Sequence, residues 1–381
     1  MPHPPLNSAS RRRFLTRALW ATGGALAGPA LLSACGSDSD TGSGGDKAGS
    51  ATAPADVDAK WPRIRSRQVV VAGFGGETYD IRQEQCFDPY SEVSGARVVQ
   101  AAWDYGKFLS MLESSSPAWD LIDFDGYSVA GLIEAGTAPG RLADWVRRCD
   151  LVPKAYQDYC AGGYAWSQVM GWSTELDATP TGWADFFDTK KFPGKRAFPK
   201  SLYMGAMELA LLADGVPKDK IYPLDFDRAT AKLDELKSHM IFYDTYAQGQ
   251  QYMAQGSASM IATSSARMIQ LKNDGKPADF TFQDAMLYPW SAFTMPQKPQ
   301  NADAVNALLD YMSTPEQQAL IAKKIYLGPT VSKALDLLSD KELALTPSAP
   351  DNVAKQLSVD VDYLGTTDAT YVEKFTSWVG A

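Results

Sequence analysis

Apolar residues fall along this chain in short β-branched runs, separated by stretches with helical spacing. Residues 68–74 (QVVVAGF) form such a run and stop at Gly75-Gly76, which reads as a buried strand, a turn and a helix from near Glu77. Residues 96–101 read as a second strand, 105–113 as a helix, 120–124 as a third strand and 127–135 as a helix. Alternating strands and helices predict a parallel sheet with right-handed crossovers. The pattern continues with a β-like run at 165–172, a short helix at 182–187, a strand at 195–198 and a helix at 204–213 closed at Gly215. A helix from Arg228 to Lys237 is expected with Asp227 as its cap. Strands follow at 258–263, 280–282 and 291–295. Helices then run from Asp303 to Tyr311 and from Pro315, with Thr314 as cap and Pro at the first helical position. The tail, 331–381, reads as largely helical, and no repeat of fixed period is present.

The N-terminus follows a different rule. Ser10-Arg11-Arg12-Arg13-Phe14-Leu15 is a twin-arginine export signature, and an apolar stretch of 15 residues, 18–32, follows it. That stretch is shorter than the roughly 20 apolar residues a spanning helix needs, and reads as the core of a signal peptide. Leu32-Ser33-Ala34-Cys35 then resembles a lipobox. Residues 1–34 are therefore expected to be a removable signal, with Cys35 lipidated and the protein extracytoplasmic on a membrane tether. Residues 35–60 are rich in Gly, Ser, Asp, Thr, Ala and Pro. Such a stretch cannot bury enough surface to offset its entropy, and predicts a leash of roughly 25–30 Å r.m.s. reach. The remaining ~320 residues exceed the usual limit of a single core, about 250–300, and predict two lobes.

Charge and composition narrow the function. The formal charge is −9, and removing residues 1–34, with four arginines and no acid, takes it to −13. That excludes nucleic acid as an expected partner. Beyond residue 34 the one histidine is His239, so a poly-His metal site is excluded, and no metal or cofactor is expected. No nucleophile elbow or phosphate loop is present, and no enzymatic activity is expected. Cys149 and Cys160 lie 11 apart in an exported chain, which makes a disulfide the expectation. Cys86 reads as a buried free thiol.

In parallel sheets ligands bind beyond the carboxyl ends of the strands. Those ends are Phe74-Gly75-Gly76, Trp103-Asp104-Tyr105 and Asp125-Gly126-Tyr127, all rich in Gly, aromatics and acids. The plain alternative is that strand ends are commonly polar and Gly-rich.

Longer segments carry a resemblance. Residues 183–196 (WADFFDTKKFPGKR), Leu212-Ala213-Asp214-Gly215-Val216, residues 221–225 (IYPLD), the 256–267 segment and Tyr326-Leu327-Gly328-Pro329-Thr330 are similar, in order, to stretches of the spermidine/putrescine-type solute-binding proteins of ABC importers. The resemblance covers 68–380. It implies an α/β fold of the type II periplasmic binding protein kind, with two lobes joined by a hinge of crossing strands. The expected division is 61–168 with 290–327 for one lobe, and 169–289 with 328–381 for the other. The lobes would close on a solute, a hinge motion, and dock on the importer's permease subunits. The binder is expected to act as a monomer.

The resemblance places Tyr79, Asp125, Tyr127 and Trp290 at ligand positions. Phe74, Gly75, Asp104, Tyr203, Asp244, Thr263 and Arg267 complete the expected ligand-binding set. Three departures stand out. The family's Trp-Asn-Gly turn is here Thr263-Ser264-Ser265, the acid two residues beyond the tryptophan is Ala292, and no acidic pair follows 195–198. A buried ammonium needs a partner. With those carboxylates missing, Asp104, Asp125 and Asp244 are left to pair an amine, while Arg267 and Lys200 can take a carboxylate. The main expectation is an amine-bearing, polyamine-like solute. A zwitterionic or carboxylate solute of amino-acid or opine type stands as the alternative, with an exported enzyme or a sensory binder behind it.

Overall fold

The computed structural model describes residues 68–380, apart from 105–106, 109–110, 112–116 and 368. The expected signal, the lipidated Cys35, the linker and most of the helix at 105–113 lie outside the described residues.

Ten strands form one mixed sheet: β1 (Gln68–Gly73), β2 (Arg97–Ala102), β3 (Leu121–Asp125), β4 (Ala161–Ser173), β5 (Arg196–Pro199), β6 (Met240–Tyr243), β7 (Met260–Ser264), β8 (Ala278–Thr294), β9 (Gly328–Pro329) and β10 (Leu357–Ser358). The main path runs β2-β1-β3-β8-β4-β7-β5-β6. β1 pairs parallel with β2 and β3, and β5 pairs parallel with β6 and β7, so each end is a parallel α/β unit. β4 and β8 connect the two. The last residues of β8 pair antiparallel with β3, Asp125 opposite Ser291, while the second half of β4 pairs with β7, Gln168 opposite Ser264. Two long strands thus run from one unit into the other, and their mutual register shifts between Tyr164 and Trp166, midway.

Burial follows this division. One apolar cluster gathers Phe87, Tyr90, Trp119, Trp290, Phe293 and Leu308 around β1–β3. Another gathers Trp183, Phe186, Phe198, Leu209, Tyr288 and Phe375 around β5–β7. Ile321, Ile325 and Leu327 pack in the second cluster, and Val331 and Val361 in the first, so the chain changes sides more than once after β8. No described helix is long and apolar enough to cross a membrane.

Several sequence expectations need correction. The two strands read at 280–282 and 291–295 are one strand of 17 residues. The helix at Phe226–Asp234 is capped by Asp225, which accepts from the Arg228 amide, and not by Asp227. Strand β6 had no separate signal, because MIFY is also compatible with a helix end. Cys149 and Cys160 form no disulfide. The Cys149 thiol points to Ser313 Oγ at 3.7 Å, and the Cys160 thiol to the Tyr156 carbonyl at 3.2 Å. Burial, then the neighbouring Cys149, pushes the Cys160 thiol well up, which suits two inert core thiols.

Candidate functional site

A cavity of about 990 Å³ opens between the two units, at the carboxyl ends of the parallel strands. Glycine shapes its first wall. Gly75 and Gly76 adopt φ of 69° and 73°, a left-handed turn that a side chain would strain, and bring Phe74 to the rim. Phe74 is 56% exposed and stacks on Trp103 at 6.0 Å.

Period-two alternation along β3 sends Asp123 and Asp125 to the same face. Asp125 accepts from Tyr127 Oη at 2.9 Å, Ser291 Oγ at 3.0 Å and Trp166 Nε1 at 3.2 Å. Burial raises its pKa, and these three donors oppose the rise. Asp123 accepts from Tyr79 Oη at 2.6 Å and from Tyr164 Oη at 3.3 Å. Burial pushes it up to about 6, against the pull of the Arg82 guanidinium. Arg82 lies 5.0 Å over the Phe293 ring and 5.6 Å over that of Tyr164.

Aromatic rings join the two walls. Tyr127, beyond β3, stacks on Tyr203, beyond β5, at 4.9 Å and 8°. Trp166 stacks on Tyr288 at 3.8 Å and 2°, and Tyr288 donates to the Tyr203 carbonyl. Tyr246 donates to Gln168 at 3.0 Å. On the second wall Lys200 pairs with Asp244 at 2.8 Å, both half exposed, and Arg267 lines the cavity with a bond to Gln270 at 3.0 Å.

The structure therefore brings Phe74, Gly75, Tyr79, Asp125, Tyr127, Tyr203, Asp244 and Arg267 together on one cavity. Three expected residues are elsewhere. Trp290 is 1% exposed and lies in the first core against Tyr156, where a Cβ on Gly126 would come within 2.6 Å of its carbonyl. Thr263 is 0% exposed inside β7, and its neighbour Ser264 reaches the cavity instead. Asp104 is exposed and caps a turn by accepting from the Lys107 amide at 2.6 Å. Sequence reasoning missed Asp123, Tyr164, Trp166, Tyr246 and Arg82. Tyr164 and Trp166, two apart in a strand, share a face, and that spacing was the available signal.

The sequence matches the family of bacterial extracellular solute-binding proteins over residues 96–351. The chain belongs to that family. It is similar to a gamma-aminobutyric acid-binding protein of Pseudomonas aeruginosa, 28% identical over 329 residues, spanning 83% of this chain and 92% of that protein. Among solved structures it is similar to the Atu4243 GABA receptor, at 30% identity and a TM-score of 0.74, covering 82% of this chain and 98% of that one. It is also similar to the binding protein MotA of A. tumefaciens B6 in complex with glucopine, at 29% identity and a TM-score of 0.72, covering 82% and 99%. The spermidine/putrescine-binding protein of Streptococcus pneumoniae is 14% identical, with a TM-score of 0.64 over 82% of this chain and 97% of that one, a likeness that carries the fold alone. The family assignment makes this chain the extracytoplasmic solute-binding component of an ABC importer. The expected kinship with polyamine binders is corrected to a distant one.

Proposed function

We propose that this protein captures a zwitterion of amino-acid or opine type between its lobes and presents it to the permease subunits of its importer. The observation that carries this reading is that an acid, Asp125, and a base, Arg267, line one cavity together with Tyr246. Burial pushes the Tyr246 hydroxyl well up, Tyr243 and Asp125 add to the rise, and Arg267 opposes it. An ammonium suits Asp125, a carboxyl whose three donors favour the anion against the rise that burial imposes, set within rings that attract cations. A carboxylate suits Arg267.

A polyamine fits less well. It needs a carboxylate at each ammonium, yet Asp244 is held by Lys200 and Asp123 is bonded by two tyrosines beside Arg82. The relatives named for GABA and glucopine support the same choice. Thermal melts with GABA, an N-carboxyalkyl amino acid, putrescine and spermidine test it, since a ligand of the native state raises Tm. The zwitterions are expected to shift the melt; a larger shift by putrescine than by any zwitterion would refute the reading.

We further propose that cleavage before Cys35 and lipidation there tether a monomer by the 35–60 leash. The tether raises its effective concentration at the importer. Loss of acyl labelling in Cys35→Ala is the expected result, and retained labelling would exclude that anchor.

A further inference from the structure

Arg82 ends the helix Glu77–Arg82 and lines the cavity from the first lobe, while Arg267 lines it from the second. The Arg82 side chain is 3% exposed, and no described residue accepts a hydrogen bond from its Nε or Nη2. Its surroundings are the faces of Tyr79, Tyr164 and Phe293. Rings stabilise the charge of a guanidinium but leave its in-plane donors unused. Asp123 supplies a compensating charge, yet it takes its hydrogen bonds from Tyr79 and Tyr164 and not from Arg82. A buried donor fork without an acceptor is costly, and a carboxylate is the group that matches it in the plane.

We propose that Arg82 is a second carboxylate anchor, so that the solute is an amine bearing two carboxylates, one gripped from each lobe. The inference rests on the zwitterion reading above and narrows its solute class. At about 990 Å³ the cavity lies at the upper end of the roughly 300–1,000 Å³ usual for small-molecule sites, which leaves room for more than a single short amino acid. Two carboxylates against Arg82 and Arg267, with the amine at Asp125, would pair every charge the solute brings. They would also give each lobe its own hold on the solute, so that the doubly anchored form favours closure.

The test is calorimetry on the full mature protein with N-(1-carboxyethyl) derivatives of alanine and glutamine, each beside its N-ethyl analogue, which lacks only the second carboxylate. The ratio of the two affinities is the readout. Two variants are compared with wild type: Arg82→Lys, which keeps the charge and loses the fork, and Arg82→Gln with Asp123→Asn, which removes both buried charges and so protects folding. For at least one pair, wild type is expected to prefer the dicarboxylate by about ten- to a hundredfold, with the preference collapsing in both variants. Binding of GABA or an N-ethyl analogue with no preference for its dicarboxylate overturns the role of Arg82 and leaves the zwitterion reading standing. A preference that survives in both variants overturns it as well. Binding of neither series nor GABA overturns both readings.

Discussion

The ring of Tyr127 lies flat against that of Tyr203, 4.9 Å apart and 8° from parallel, although the two tyrosines follow β3 and β5, strands on opposite sides of the central β8–β4 pair. Tyr127 also donates to Asp125, so the same side chain joins the walls and bonds one of the cavity's carboxyls.

Replacing either ring should be felt in affinity. Tyr203→Ala and Tyr127→Ala are each expected to weaken solute binding by about 1–3 kcal/mol. Tyr127→Phe keeps the stack and loses only the bond to Asp125, so its effect should be smaller. Calorimetry with a solute found in the melt screen gives the order, and equal losses in Tyr127→Phe and Tyr127→Ala would contradict a role for the stack.

Asp125→Asn keeps the shape of the carboxylate and removes its charge. Binding of any amine-bearing solute should fall by about 1.5–3 kcal/mol, the size of a hydrogen bond to a charged group. Unchanged affinity would place the amine elsewhere.

Trp290 belongs to the first core and not to the cavity wall. Trp290→Ala should therefore act on stability, lowering it by about 3–5 kcal/mol as a large ring leaves a packed interior. Urea denaturation without solute checks this, and a native-like midpoint would mean the ring is not packed as described.

Among the buried carboxyls whose pKa burial raises, Glu208 and Asp123 give a pH dependence with a defined window. Burial lifts Glu208 from an ordinary 4.5 to about 7, against the bond it receives from Tyr222, and lifts Asp123 from 3.8 to about 6. Each holds its proton more tightly in the native protein than in the unfolded chain. Native stability should therefore fall as pH rises through about 4.5–7 for Glu208 and about 4–6 for Asp123, then level off. Together the loss is on the order of a few kcal/mol. Melts of wild type and Glu208→Gln between pH 4.5 and 8 should show a shallower slope in the variant; parallel curves would contradict the assignment.

The thiols give a chemical check. Unfolded, unreduced protein should release three reactive thiols besides Cys35, from Cys86, Cys149 and Cys160. A single thiol would restore the disulfide that the spacing first suggested.

Much of the site was legible because strand ends announce themselves: Phe74-Gly75, Asp125 and Tyr127 sit where an apolar run stops. Trp290 and Thr263 misled because they match a family position by order along the chain, and order does not say which way a strand's side chain points. One residue of offset turns Ser264 to the cavity and Thr263 to the core. Arg82 gave no signal, since an arginine in the last turn of a helix ordinarily faces water.

By itself the sequence determined the alternation of strands and helices and the positions of the strand ends. Those are local properties, carried by neighbouring residues and their periodicity. Only the tertiary structure decided that β8 is one strand crossing between lobes, that Tyr127 meets Tyr203, and that Asp125 and Arg267 share a cavity with a buried Arg82. Charge balance in a cleft is a sum over residues far apart in sequence, and folding alone brings those terms within reach of one another.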